Sequence, residues 1–335
     1  MSSMPGLPET VKSHIVALEE YFESENTNEG FDFITEGLLY QFSTGGKRLR
    51  PALCLLSCQI HGGDPSTSLP FAMATELLHN YLLIHDDIED GDLIRRDMKT
   101  LWAQIGLPNA LNVSDFMIAR AYRLITESDL PGEVSLRLCR AFSFVLQKTV
   151  EGQALDINLR GDDQVTLATY YRIVTCKTAF YLALPWVGGA MVAGASDDEV
   201  KPLWELGRCL GPAFQIRDDL IDLTEGKGRG GEIGCDIREG KPSICYAYAL
   251  EDQKGSPEDR RKLIEIVGAG RDDTTEEGIS WVIEFYRREG VLEFAQSEAD
   301  RLAGESMAAL DKLQVPEAGK NDFRDVIRFV VDRKV

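Results

Sequence analysis

Residues 76–90 read ELLHNYLLIHDDIED, an apolar run in helical register that ends in three aspartates, Asp86, Asp87 and Asp90. Offsets of one and four residues on an α-helix gather three side chains within an arc of about 100°, so this DDxxD spacing presents one acidic face. The same form returns far downstream as Asp218, Asp219 and Asp222 in FQIRDDLID at 214–222, again behind an apolar helical segment, Leu210 to Ile216. A single triplet is ordinarily a solvated helix face, and a chain with 55 acidic residues offers many of those. Two copies behind apolar helices read differently, because carboxylates at that density repel one another unless cations sit between them. Hard oxygen ligands of this kind suit Mg²⁺, which takes few carboxylates and completes its shell with waters and substrate phosphates.

The helical register continues outward from both clusters. Val11, Ile15, Leu18 and Phe22 step by three or four residues, as one buried stripe requires, and strand-like alternation is hard to find. The pattern predicts helices near 8–24, 28–42, 51–61, 69–90, 110–127, 132–159, 166–194, 197–224, 242–252, 257–269, 273–289, 292–313 and 319–332. The breaks have physical causes, among them Gly62-Gly63-Asp64-Pro65, Leu130-Pro131-Gly132 and the glycine-rich segment Gly226 to Gly234. That last segment interleaves Lys227 and Arg229 with glycines, and it reads either as a mobile basic flap or as a plain surface connection. The fold class is all-α. Nothing in the composition separates two halves, so a single domain over 1–335 is expected.

A hydrophobic fraction of 44% supplies a sizeable core without disulfides or a structural metal. No apolar run reaches a membrane span, since Phe180 to Ala195 is broken by Pro185 and by Gly188-Gly189. The first residues lack a basic segment followed by an apolar one, and a cytoplasmic location is expected. Among seven cysteines the closest pair, Cys54 and Cys58, has helical spacing rather than CxxC, which reads as reduced core thiols. A net charge of −19 argues against nucleic acid as a partner.

If so acidic a chain handles phosphorylated substrates, it needs local cations. Basic residues concentrate in GGKRLRP at 45–51 and in Arg95-Arg96. Glycine lets the backbone come close to an anion while Lys and Arg neutralise its oxygens, although either segment alone would read as a surface charge run. Lys177, Thr178 and Gln215 place polar groups inside otherwise apolar helices. His79 and His85 lack the HExxH spacing of a zinc protease, and a lone histidine is ordinarily a hydrogen-bonded core residue.

Six segments in order, GGKRLRP at 45–51, ELLHNYLLIHDDIED at 76–90, RR at 95–96, KT at 177–178, FQIRDDLID at 214–222 and GCDIREGK at 234–241, strongly resemble the trans-isoprenyl diphosphate synthases, which include the farnesyl and geranylgeranyl diphosphate synthases. The resemblance implies an antiparallel helical bundle around a deep central cavity, with the aspartate clusters facing across its mouth, and a homodimer. It assigns Mg²⁺, three ions per active site with substrate bound, to Asp86, Asp87, Asp90, Asp218 and Asp222, with Asp219 in support. Lys47, Arg50, His79 and Arg96 match positions that bind isopentenyl diphosphate. Arg95, Lys177, Gln215 and Lys241 match those around the allylic diphosphate, whether dimethylallyl, geranyl or farnesyl.

The chemistry of the residue types agrees with that assignment. A diphosphate departs once metal and fixed cations absorb its developing charge, and the Thr178 hydroxyl and Gln215 carbonyl can steady the allylic cation left behind. No side-chain nucleophile is required, which fits the lack of a convincing Ser-His-Asp or Cys-His arrangement. Four positions depart from the family pattern: Gly231 or Glu232 stands where many members carry a lysine, Asp97 and Lys99 replace a glycine and a proline, and Ser114 replaces a glycine. They bear on substrate affinity and loop geometry.

Tyr81 and Leu82 precede Asp86 by five and four residues, about 6–7.5 Å along a helix. By resemblance a bulky residue there limits chain growth and points first to a C20 product, geranylgeranyl diphosphate, with C15 and C25 or longer products open, while Tyr81 reads equally well as ordinary core. Two rival readings are a class I terpene cyclase and a non-catalytic subunit that binds prenyl diphosphates. A cyclase needs no isopentenyl site, so Lys47, Arg50, His79 and Arg96 argue for elongation. Two intact aspartate clusters argue against the subunit.

Overall fold

The computed structural model describes residues 7–26, 33–224 and 233–331. The helices are α1 (Glu9–Asn26), α2 (Phe33–Ser43), α3 (Leu49–Ile60), α4 (Leu69–Glu89), α5 (Leu101–Ile105), α6 (Leu107–Thr126), α7 (Gly132–Asn158), α8 (Leu167–Val174), α9 (Phe180–Val192), α10 (Asp197–Asp222), α11 (Cys235–Arg238), α12 (Ile244–Glu251), α13 (Pro257–Gly268), α14 (Glu276–Arg288), α15 (Val291–Asp311) and α16 (Glu317–Val331). The all-α class expected from periodicity is what the chain adopts. Among the described residues the only strands are β1 (Ile94–Arg95) and β2 (Met98–Lys99), an antiparallel hairpin too short for alternation to reveal. None of these helices is long and apolar enough to cross a membrane.

The chain forms two compact units. The first comprises residues 1–146, 182–204 and 309–329; the second comprises 147–181, 205–308 and 330–335.

In the first unit α3 packs against α1 and α4, and α4 lies along α6. Leu53 to Leu56 and Cys58 are buried on α3, the core-thiol environment read from the sequence. The paired glycines that break the apolar run sit on α9 because nothing larger fits. A Cβ at Gly188 would lie 1.8 Å from the Phe71 ring, and one at Gly189 would lie 2.1 Å from the Cys54 carbonyl oxygen. Ser57 Oγ donates to the Trp186 carbonyl at 2.6 Å, tying α3 to α9. Helix α6 begins earlier than periodicity implies, since Pro108 is tolerated in a first turn, where its missing N–H costs nothing.

In the second unit the core gathers Tyr170, Ala213, Ile216, Ile244, Tyr246, Val282, Phe285 and Tyr286, drawn from α8, α10, α12 and α14. Ser243 and Thr166 cap α12 and α8 by accepting from Tyr246 N and Thr169 N. The helix predicted over 166–194 is interrupted: one turn of π-helix, Thr175–Ala179, separates α8 from α9. Residues 226–232 of the glycine-rich segment, including Lys227, Arg229, Gly231 and Glu232, lie outside the described residues.

Candidate active site

The first aspartate cluster ends α4 in the first unit. Asp86 and Asp87 occupy its last turn and Asp90 is its C-cap, its N–H donating to the Asp86 carbonyl at 2.9 Å. Asp87 and Asp90 are buried. Arg95, on β1, bridges the cluster: its Nη2 lies 3.0 Å from Asp86 Oδ2 and its Nε donates to Asp87 Oδ1. Trp102 clamps the turn from below, its indole N–H shared between the carbonyls of Asp87 at 3.1 Å and Asp92 at 2.8 Å. Burial pushes the Asp87 carboxyl up to about 7; Arg95 opposes this, while the charges of Asp86 and Asp92 add to it.

Beside it lies a concentration of cations. Arg95 ends the first strand and Arg96 begins the turn of the hairpin, where Arg96 and Asp97 both take left-handed backbone, φ 54° and 62°. This is the conformation a two-residue hairpin turn demands, and it explains why a glycine is at home where Asp97 stands. Arg96 Nη1 donates to the Gly45 carbonyl, joining the second basic segment to the first. Arg48, with φ 45°, donates to Glu76 Oε1 at 2.7 Å and to the Phe42 carbonyl at 2.6 Å. Asn80 Nδ2 donates in turn to the Glu76 carbonyl at 2.9 Å. Arg50 opens α3, and Lys47 lays its ammonium 4.7 Å from the centre of the Phe329 ring.

His79, on α4, is pushed well below the ordinary histidine pKa by burial and then by the charges of Arg50, Arg96, Arg48 and Arg95. Four guanidinium groups near one imidazole gather positive charge locally in a protein of net charge −19. Tyr81 is half-buried with its ring centroid 4.5 Å from that of His85. Leu82 is half-buried beside it in sequence.

In the second unit Lys177 and Thr178 stand on the π-turn, and two glycines explain why the helix opens there. A Cβ at Gly152 of α7 would lie 2.5 Å from Lys177 N, and one at Gly211 of α10 would lie 2.4 Å from Ala179 Cα. Backbone therefore meets backbone on both sides of the turn. Lys177 Nζ is held 2.8 Å from Asp156 Oδ2, one helical turn along from Gly152.

Gln215, Asp218, Asp219 and Asp222 close α10. Thr178 Oγ1 donates to Gln215 Oε1 at 3.3 Å, Gln215 Nε2 donates to Asp219 Oδ1 at 3.0 Å, and the Tyr170 hydroxyl donates to Asp219 Oδ2 at 3.2 Å. Burial and the neighbouring Asp219 hold the Tyr170 phenol well above its ordinary pKa, so it stays protonated as a donor. Asp222 is fully buried; its Oδ2 accepts from Asp236 N at 3.0 Å and its carbonyl from Gly234 N at 2.8 Å. The turn through α11 thus docks on the second cluster. It carries Lys241, which lies 2.6 Å from Glu239 Oε2 and 3.6 Å from Asp236 Oδ1.

Both clusters crowd carboxylates into the C-terminal turn of a helix, the end where the macrodipole is already negative. Burial of Asp87, Asp90, Asp219 and Asp222 deepens that cost. A donor set of clustered, buried, hard carboxylates beside fixed cations fits a divalent ion such as Mg²⁺.

The predicted site residues therefore gather by unit: Lys47, Arg50, His79, Asp86, Asp87, Asp90, Arg95 and Arg96 in the first, Lys177, Thr178, Gln215, Asp218, Asp219, Asp222 and Lys241 in the second. Sequence reasoning missed Glu76, Gly152, Asp156, Tyr170 and Gly211. The signal for two of them lay in EGQALDIN at 151–158, where Gly152 and Asp156 share one helix face.

Residues 32–285 match the Polyprenyl synthetase family. The chain is 35% identical over 328 residues to the short chain isoprenyl diphosphate synthase of Methanothermobacter thermautotrophicus, covering 95% of this chain and 98% of that one. It is 35% identical over 232 residues to the geranylgeranyl diphosphate synthase of Sulfolobus acidocaldarius, covering 68% and 69% of the two chains. The crystal structure of geranylgeranyl pyrophosphate synthetase from Pyrococcus horikoshii superposes with a TM-score of 0.87 at 28% identity, covering 97% of each chain. With the aspartate clusters, the gathered basic residues and the fold all in agreement, this chain belongs to the polyprenyl synthetase family, as an all-helical prenyltransferase of prenyl diphosphates.

Proposed function

We propose that the protein elongates an allylic diphosphate with isopentenyl diphosphate and releases geranylgeranyl diphosphate, C20. The observation that carries elongation, rather than cyclisation, is the gathering of basic groups at the 45–51 segment, where Arg96 Nη1 donates to the Gly45 carbonyl and a Cβ at Gly46 would lie 3.0 Å from Arg96 Nη1 and 3.2 Å from Arg48 Nη1, because a cyclase has no second diphosphate to hold. Lys47, Arg50, His79 and Arg96 bind isopentenyl diphosphate in this reading, and Arg95, Lys177, Gln215 and Lys241 bind dimethylallyl, geranyl or farnesyl diphosphate.

Asp86, Asp87, Asp90, Asp218 and Asp222, with Asp219 in support, would hold Mg²⁺, three ions per active site, which when bound neutralises diphosphate charge and makes it a better leaving group. Arg95, Lys177 and Lys241 orient the same group and absorb charge as the C–O bond breaks, its electron pair leaving with the diphosphate oxygen. The Thr178 hydroxyl oxygen and Gln215 Oε1 turn negative ends of dipoles toward the allylic carbon as it becomes positive. The isopentenyl double bond supplies the electron pair of the new C–C bond. Loss of one proton from the adjacent carbon, to the departed diphosphate, restores a double bond and balances the step.

The whole chain, 1–335, acts as one catalytic domain in this reading; the family match running through residues of both units supports it. A homodimer is supported by large apolar side chains exposed on α2, α6 and α7, namely Phe33, Leu39, Leu107, Leu111, Leu136 and Phe144. Seven cysteines held as thiols fit a cytoplasmic location.

Product length rests on Tyr81 and Leu82. Mass analysis of products from each allylic starter with isopentenyl diphosphate and Mg²⁺ tests the reading: C20 diphosphate is expected, and Tyr81→Ala lengthens it. A hydrocarbon formed without isopentenyl diphosphate would make the protein a cyclase. Inactivity of the purified chain, restored by a partner synthase, would make it a binding subunit.

A further inference from the structure

The second cluster contains a carboxylate whose neighbours assign it a task other than holding metal. Asp219 is 5% exposed, and each of its oxygens takes a hydrogen bond: Oδ1 from Gln215 Nε2 at 3.0 Å and Oδ2 from the Tyr170 hydroxyl at 3.2 Å. A carboxylate accepts and does not donate, so only the NH₂ end of the Gln215 amide can face it. The carbonyl end, Oε1, is thereby turned to the other side, where Thr178 Oγ1 donates to it at 3.3 Å. A reversed amide would set oxygen against oxygen at Asp219 and present two N–H groups on the side of Thr178.

We propose that Asp219, held by Tyr170, is a positioning residue that fixes the direction of the Gln215 amide, so that a carbonyl oxygen rather than an NH₂ group is offered to the allylic cation. The proposal rests on the elongation chemistry above and deepens it. A primary amide has two ends of nearly equal shape and opposite polarity, and a cation distinguishes them sharply: one end stabilises it and the other repels it. The chain Tyr170–Asp219–Gln215–Thr178 gives the amide one direction, each of its three bonds running from a donor to an acceptor. Tyr170 is 2% exposed, and its hydroxyl holds Asp219 by the carboxylate oxygen that the amide does not use. Asp218 and Asp222 are then the members of this cluster left to act on the diphosphate and its metal.

The full-length chain and its Asp219→Asn and Tyr170→Phe variants distinguish positioning from metal binding by Mg²⁺ titration at saturating substrates. Asparagine keeps the shape but can turn its own amide either way, so Gln215 loses its fixed direction. Positioning requires that kcat of Asp219→Asn fall about tenfold to a hundredfold while the Mg²⁺ concentration for half-activation and the allylic KM stay within about twofold. Tyr170→Phe falls less, about threefold to tenfold, because it removes only the support.

A second readout avoids turnover. An allylic ammonium bound with inorganic diphosphate and Mg²⁺ imitates the cation, and an allylic thiodiphosphate is its neutral-carbon counterpart. Asp219→Asn is expected to weaken the ammonium by about tenfold more than the thiodiphosphate. A rise in the half-activating Mg²⁺ concentration of about fivefold or more, or equal weakening of both analogues, would make Asp219 a metal ligand and overturn the proposal. Unchanged kcat in Asp219→Asn would overturn the proposal as well. Failure of the wild-type chain to consume isopentenyl diphosphate would instead overturn the elongation reading, while the paired-analogue comparison would still report on the amide. Should Asp219→Asn not fold, Tyr170→Phe carries the same two comparisons.

Discussion

Arg95 holds Asp86 and Asp87 together, with Nη2 3.0 Å from Asp86 Oδ2 and Nε bonded to Asp87 Oδ1. A guanidinium thus stands between two carboxylates that repel each other, in the place where divalent charge is called for. In the proposed reading, Mg²⁺ held by Asp86 and Asp87 would supply the positive charge that Arg95 supplies here.

Asp86→Ala and Asp218→Ala should each lower kcat by about 10²–10³-fold, the loss of preorganised charge stabilisation at a leaving group. Both side chains are partly exposed, so thermal unfolding should shift little. Steady-state kinetics beside a melting curve checks the separation; a large fall in melting temperature would mean that the loss of rate was a loss of fold.

Glu76 and Arg48 form an ion pair with side chains only 3% and 12% exposed. Arg48→Met leaves the Glu76 carboxylate buried without its cation and should cost about 3–5 kcal/mol. The double variant Arg48→Met, Glu76→Leu should recover most of that stability in urea unfolding. It should still show a raised KM for isopentenyl diphosphate, since the loop carrying Lys47 and Arg50 has lost its anchor. A normal KM in the refolded double variant would deny the pair any part in shaping that loop.

Gly152→Ala and Gly211→Ala each force a methyl group to within 2.5 Å or less of the π-turn backbone. Overpacking of this sort costs about 1–3 kcal/mol. Turnover should fall with it, because Lys177 and Thr178 move with the turn. Chemical unfolding and kcat measured on the same preparations test this, and an unaltered kcat in both variants would separate the turn from catalysis.

Acid should destabilise the protein through His79. Its pKa in the fold lies well below 6.5, chiefly through burial and then through the arginines. The unfolded chain takes up the proton at its ordinary pKa while the fold refuses it. Stability present above pH 6.5 is therefore lost as the pH falls through that value toward the folded pKa. His14 and His61 are lowered in the same direction by burial and add to the slope. His79→Gln should make the fall in melting temperature between neutral and mildly acid pH shallower, and an unchanged slope would remove His79 from the account.

Much of this was legible before any coordinates. The spacing of Asp86, Asp87 and Asp90, and of Asp218, Asp219 and Asp222, needs only helical geometry to yield an acidic face, and the all-α class follows from a period near 3.6. Other features were hidden because they depend on residues distant in sequence. Nothing local in YYRIVTCKTAF marks a π-turn; it opens where Gly152 and Gly211, on two other helices, admit its backbone. Tyr170 is core, yet its hydroxyl meets Asp219 across 49 residues of chain. The hairpin at Arg95 and Arg96 escaped because two residues per strand carry no alternation. Charge clusters announce themselves locally, whereas the supports that aim them do not.

Gly152 and Gly211 also limit how this enzyme can be made to tolerate heat. Exchanging helical glycine for alanine normally gains about 0.5–1 kcal/mol, and Gly304, exposed on α15 with nothing within 4 Å of an added Cβ, should accept that change and raise the melting temperature. At the two glycines flanking the π-turn the same recipe should fail. A programme that hardens every helix indiscriminately would be trading the catalyst for the scaffold, and the weak helix-formers to be left alone are those where another strand of backbone already occupies the room.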